Sequence, residues 1–228
     1  MRHRWESVTF LHWAYPIDVV RRHLPAGMEI EPWDGQAWVS IVLFRMHVLI
    51  PVGASWHVVP AFPETNVRTY VVGPDGERGI WFLSLDAGSP SAVLGARAGY
   101  GLPYYWAAMR IDQRGESIRY MGTRRWPPPR GMTYDIAAEG GDALLPEMIT
   151  PFDHYLTARF TLWNRYGRLL LRTDVVHPPW PLRTGRVLDL RQELLGSHGL
   201  PVPGHPPLVH VSDGVDVRIA APRTRFVP

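Results

Sequence analysis

The 228-residue chain contains no cysteine, which removes disulfides, thiolate nucleophiles and Cys-ligated metal or iron–sulfur centres from consideration. It contains no lysine either, so all 24 of its basic residues are arginine. A P-loop needs a lysine on its phosphates and an imine-forming enzyme needs a primary amine, whereas a guanidinium stays protonated and is no nucleophile. Long hydrophobic runs are also missing. The longest, Ala37 to Phe44, falls far short of the ~18 residues a membrane span requires, and Glu6 and His12 interrupt any leader-like segment near the start. A cytoplasmic protein without membrane association is expected. The net charge of +3 is a small excess and gives little support for nucleic acid as a partner.

Proline and glycine are abundant, at 23 and 21 residues, and this frequency of breaks argues against an all-α bundle. A short helix is expected from Pro16 to Leu24, with Pro at the first position and Ile17, Val20 and Leu24 on one face. Branched and aromatic residues mark one long or two short strands over Gln36 to Pro51. Further strands are expected at Thr65 to Val72, Gly79 to Leu85, Ala107 to Asp112, Ser117 to Met121, Met132 to Ala137, Leu156 to Trp163, Arg168 to Val176 and Val209 to Ile219. Turn signals at residues 73–79, 112–116 and 164–168 imply hairpins, hence antiparallel neighbours. Two further helices are expected, at 89–99 with Ser89 as N-cap, and at 186–196 with Val187, Leu190 and Leu194 on one face. No linker or repeat divides the chain. The expectation is a single domain over residues 1–228, mainly β, with a closed or nearly closed sheet.

Several residues could carry chemistry. Period-2 alternation in the strand ETNVRTYVV places Glu64, Asn66, Arg68 and Tyr70 on one face. Inside a closed sheet those groups would pair with one another and with a ligand; on an open one they would simply be its wet side. The segment GARAGYGLPYYW sets Arg97 among glycines ahead of Tyr104 and Tyr105, but it fails as a dinucleotide fingerprint because Tyr104 stands where the third Gly belongs. Arg159, pointing into a cavity, would clamp a carboxylate or phosphate. His12 and His177, each beside a Trp or Pro-Trp element, are candidates for acid–base or hydrogen-bonding work. His198, His205 and His210 cluster in sequence without a helical i, i+4 pair, so no metal or other cofactor is expected. Arg124, Arg125 and Arg130 around Trp126 form an Arg–aromatic mix of the kind that stacks single-stranded bases. Together with the proline-rich loops they keep an interaction module as an alternative.

Seven ordered blocks span nearly the whole chain: FLHWAYPID, HLPAGMEIEPWDGQAWVSIVLFRM, PETNVRTYVV, GIWFLSLDAGS, GARAGYGLPYYWAAM, LTARFTLW and HPPWPL. In this order they resemble the YqjF-like family of uncharacterised bacterial proteins, which in turn resembles the acetoacetate decarboxylase-like superfamily. The resemblance implies a mixed, largely antiparallel closed β-barrel with a few short helices and an apolar interior cavity. In acetoacetate decarboxylases a pair of lysines follows a Gly-aromatic-Pro turn. In the similar stretch here Arg97 and Pro103 match, while Tyr104 and Tyr105 stand where the lysines would be. Glu64 is similar in context to the superfamily's acidic pocket residue. The resemblance therefore implies a pocket without imine chemistry. The expected ligand is a small organic acid or enolisable compound, bound by Asn66, Arg68, Arg97, Tyr104, Tyr105, Arg159 and His12. The alternative is a lysine-independent enzyme in which Glu64 or His177 moves a proton. A homo-oligomer is compatible with either.

Overall fold

The computed structural model describes residues 1–52 and 55–226. The chain begins in a long strand, β1 (Arg2–Tyr15), followed by the short helix α1 (Ile17–Arg21) and strands β2 (Glu29–Ile30), β3 (Ala37–Val52), β4 (Ser55–Val72) and β5 (Arg78–Ala87). Helix α2 (Pro90–Tyr100) leads to β6 (Tyr104–Arg114), β7 (Ser117–Trp126) and β8 (Thr133–Ala143). Helix α3 (Pro151–Thr157) leads to β9 (Thr161–Tyr166), β10 (Leu169–Val176), β11 (Leu182–Gln192), β12 (Leu208–Ile219) and β13 (Arg223–Phe226).

The strands form one sheet that closes on itself. Pairing runs round a ring β4-β5-β6-β7-β8-β11-β12-β1-β3 and back to β4. A second ring branches off through β5-β9-β10-β12, because β5 pairs with β6 at Leu85–Ala87 and with β9 at Ile80–Trp81. Those two pairings are parallel and the rest are antiparallel, as hairpins at 73–79, 112–116 and 164–168 require. The expected mixed, largely antiparallel closed sheet with few helices is what forms.

The two rings share β12, β1, β3, β4 and β5, so both faces of these strands are covered. On β3, Val39, Ile41 and Leu43 face the first ring, where Ile118, Tyr120, Tyr134 and Ile136 pack. Val42 and Phe44 face the second, with Phe10, Leu162 and Val175. This explains the near-continuous apolar run over 37–44, since a strand buried on both sides has no polar face to alternate with.

Three expectations are corrected. Residues 186–196 are not a helix but the end of β11 and a turn. Val187 pairs with Ala138 and Asp189 with Ala137, leaving Leu188 as an extra, exposed residue in a bulge. The bulge lets Val187 and Leu190, three apart, pack on the same core, which is how a strand imitated helical spacing. The expected strand from Leu156 begins only at Thr161. Leu156 and Thr157 end α3, whose start is fixed by Pro151 and a capping box in which Thr150 and Asp153 bond each other's backbone N–H. Finally, β1 occupies a segment for which no strand was expected. Helix α2 follows expectation, with the Ser89 hydroxyl accepting from the Ala92 N–H and Gly101 closing it at φ 67°. Among the described residues no helix is long and apolar enough to cross a membrane.

Candidate functional site

Inside the second ring lies a buried chamber of about 80 Å³. Its polar wall comes from β4: Glu64, Asn66 and Arg68 project into it, while Val67 and Val71 between and beyond them face the other core. Tyr104 at the start of β6, Arg159 from the α3–β9 turn and His177 from the β10–β11 loop also reach it. The aromatic wall is Trp5, Phe10 and Trp180. Phe10 meets Trp180 edge to face at 5.2 Å between centroids.

Glu64 is 2% exposed. The Tyr104 hydroxyl donates to its Oε2 at 2.9 Å. Burial is the dominant influence on this carboxyl and pushes its pKa up to about 8, with Asp86 adding to the rise against the hydrogen bonds from Tyr104 and Asn66. Glu64 is therefore neutral at pH 7 and has a proton to give. Burial, reinforced by Glu64, pushes the Tyr104 phenol well above its ordinary value, so it remains a donor.

Arg68 is 6% exposed. Its Nη2 donates to the Leu156 carbonyl at 3.1 Å, and its guanidinium lies over the Phe10 and Tyr70 rings at 5.6 and 5.9 Å. Burial pulls its pKa down, but a guanidinium keeps its proton. No carboxylate lies within ion-pair distance of it among the described residues. Arg159, by contrast, is paired with Glu31 at 2.7 Å and donates through Nε to the Tyr155 carbonyl at 2.7 Å. Five side-chain atoms of chamber residues are buried without a protein partner among the described residues: Arg68 Nε, Arg159 Nη2, Asn66 Oδ1 and both ring nitrogens of His3. Buried polar groups are rarely left so. With Glu64 neutral, two guanidinium donors face a cavity that holds no negative charge.

The structure thus brings Glu64, Asn66, Arg68, Tyr104, Arg159 and His177 together, and leaves three expected residues outside. Tyr105 follows Tyr104 on a strand and so points the other way, where its ring lies 3.6 Å beneath the Arg124 guanidinium. Arg97 is spent on the Tyr104 carbonyl at 2.7 Å and on the Trp126 ring. His12 stacks behind Phe10 in a buried chain. Its Nδ1 meets the Ser40 hydroxyl at 2.7 Å and its Nε2 meets His210, which bonds Asp153. His177 is held by the Pro178 carbonyl at 2.7 Å, and burial lowers its pKa. Arg124 is 1% exposed in a bidentate pair with Asp86, so the expected Arg–Trp surface cluster lacks one of its three arginines. The three clustered histidines part company: His198 bonds Ser84, His205 its own loop and His210 His12.

Sequence reasoning missed His3, Trp5, Phe10 and Trp180. Ring atoms Nδ1 and Nε2 of His3 are buried without partners, and burial lowers its pKa to about 4. The signal was alternation, His3 and Trp5 then Val8 and Phe10, interrupted by a bulge between Glu6 and Thr9. A larger groove of about 660 Å³ lies outside β6–β8, but its Arg191 and Asp135 are paired with each other and it is open to solvent.

Comparison with known proteins places these features in context. The profile of the DUF2071 family, described as an uncharacterized conserved protein, matches residues 2–216. The uncharacterized protein YqjF of Bacillus subtilis (strain 168) is 34% identical over 223 residues, covering 95% of this chain and 89% of YqjF. Among solved structures, the enduracididine biosynthesis enzyme MppR complexed with pyruvate superposes with a TM-score of 0.64 at 13% identity, over 98% of this chain and 89% of that one. Acetoacetate decarboxylase from Legionella pneumophila gives 0.63 at 15% identity, over 100% and 88%. At these identities the structural likeness is one of fold.

Proposed function

The chain belongs to the DUF2071 family, that of YqjF, with the fold of acetoacetate decarboxylase-like proteins, and from this premise we propose that it binds a compact organic acid in the chamber of the second ring. The observation that carries this reading is Arg68, a guanidinium lining the chamber with no carboxylate partner among the described residues and a buried, unpaired Nε. An uncompensated buried charge costs several kcal/mol, and an anion seated between Arg68 and Arg159 offsets that cost through charge-assisted hydrogen bonds. Neutral Glu64, with the Tyr104 hydroxyl donating to its Oε2, then gives its own proton to a remaining oxygen, and Asn66 Oδ1 accepts from a hydroxyl or enol. Pyruvate, named with MppR, is an acid of suitable size. With no lysine in the chain, the ligand is held without a lysine imine, and acetoacetate decarboxylation through one is not this protein's reaction.

A second, catalytic reading rests on Glu64 itself. A carboxyl with a pKa of about 8 beside a phenol is poised to exchange a proton with an enolisable ligand, Tyr104 stabilising the oxyanion. The test is a thermal-shift screen with pyruvate and related oxo acids, with borohydride alongside. A ligand at 100 times its Kd adds ~2.7 kcal/mol. The shift should vanish in Arg68→Met and leave no borohydride adduct. No shift from any acid would overturn the binding reading. In Glu64→Gln, binding kept with loss of ligand deuterium exchange or turnover selects the catalytic reading; wild type inert towards the bound acid selects a binder.

A further inference from the structure

Tyr104 borders more than the chamber. A second cavity of about 450 Å³ adjoins it, and His3, Met46, Leu102, Tyr104, Leu162 and Ile219 form walls of both. This outer cavity lies between α2 and the β3–β4 hairpin. Its surface is mostly aliphatic and aromatic, with Val48, Ile50, Val59 and Phe62 on the hairpin side; among the described residues no Asp, Glu or Arg lines it, and Met1, which does, donates through its ammonium to the Ile219 carbonyl at 2.8 Å. On the other side α2 contributes Ala92 and Ala96, one turn apart on one helix face. Their short side chains leave the space open.

Polar and apolar groups are therefore sorted between two adjoining cavities. Every guanidinium and carboxyl of the site lies in the inner one, which has room only for a small head group. We propose that the ligand is an amphiphilic carboxylic acid, its carboxylate held at Arg68 and Arg159 and its medium-length aliphatic chain lying in the outer cavity against α2. This rests on the acid-binding reading above and extends it to the class of acid. A polar tail would be better matched by a different neighbour of the chamber, the groove lined by Arg2, Arg4 and Arg218 beyond His3 and His177. That groove shares only those two histidines with the chamber, against six residues for the apolar cavity.

The test is isothermal titration of the full chain with butyrate, hexanoate, octanoate and decanoate, and with succinate as the polar-tailed counterpart. Burying a methylene tightens binding about fourfold, so each two-carbon step should lower Kd about fifteenfold until the cavity is filled. Ala96→Phe, which fills the outer cavity without touching the chamber, should bind butyrate as wild type does and lose the gain with length. Butyrate affinity reports that this variant has folded; if it has not, Ala92→Leu serves in its place. Short acids binding with affinity flat in chain length, or succinate binding more tightly than hexanoate, would overturn the amphiphile while leaving the acid site standing. Failure of every acid to bind would remove both.

Discussion

Replacing Arg68 with methionine separates what this residue does for the ligand from what it does for the fold. Removing the charge relieves a burial cost of several kcal/mol. Against this stand a charged hydrogen bond to the Leu156 carbonyl, worth ~1.5–3 kcal/mol, and two ring contacts that, at 5.6 and 5.9 Å, lie near the ~6 Å limit of such attraction and contribute only ~0.5–1 kcal/mol each. The Leu156 carbonyl is not orphaned by the change, because the Tyr70 hydroxyl still donates to it at 2.7 Å. Methionine is also flexible enough to fill the space beside Phe10. The balance leaves Arg68→Met between neutral and about 2 kcal/mol more stable than wild type. For a chain of this size that is a rise in Tm of up to roughly 4–8 °C, measured without ligand. The same variant should lose the stabilisation conferred by an acid. A gain in stability with loss of binding is what a group kept for its ligand produces. A variant more than 1 kcal/mol less stable than wild type that still binds the acid would refute the reasoning, showing that the Arg68 charge is compensated within the protein.

Arg159→Met should act in the opposite direction. It strands Glu31, which is left only the longer 3.5 Å contact to Arg78, and a fall of about 2–4 kcal/mol in urea denaturation is expected; an unchanged midpoint would contradict the pairing. Glu64 should make stability depend on pH. In the folded chain it holds its proton to about pH 8, against 4.5 as its ordinary value, so its contribution is fully present below pH 4.5. That contribution falls by about 1.4 kcal/mol per pH unit across the window and is lost as pH passes 8. Glu64→Gln should gain on wild type steadily from pH 5 to 8 in thermal denaturation, and parallel curves would disprove the assignment. Gly214→Ala should destabilise by about 3 kcal/mol or more, because φ is +121° and a Cβ there would meet the Trp5 carbonyl across the β1 bulge. Wild-type Tm in that variant would show that the bulge yields easily.

The candidate site was legible in the sequence wherever it obeyed strand alternation. Glu64, Asn66 and Arg68 could be placed on one face, but which face was interior could not be read, because the two rings bury both. Tyr104 and Tyr105 were grouped since the strand was expected to start at Ala107; had it been started at Tyr104, alternation would have separated them. Bulges account for the other losses. One in β11 gave Val187 and Leu190 a helical spacing, and one in β1 broke the alternation that would have brought His3, Trp5 and Phe10 to the wall. Arg159 was expected on a strand and stands in a turn, because the Thr150–Asp153 capping box makes a helix of the residues before it. Arg124 was taken for a surface residue. Its partner Asp86 lies 38 positions away, a distance that no local pattern spans.

Functional groups usually ride on loops, where backbone can yield. Here three of the proposed ligand-binding groups sit on a strand shared by two closed rings. The amides of Asn66 to Tyr70 should therefore be among the slowest in the chain to exchange with deuterium, opening only with global unfolding. Motion that admits a ligand must then come from the other walls, above all α2, in which Val93 is the one fully buried side chain and Ala92, Ala96 and Tyr100 are only partly buried against the core. The protein would thus take up its ligand by loosening a cover while the groups that recognise the ligand stay fixed.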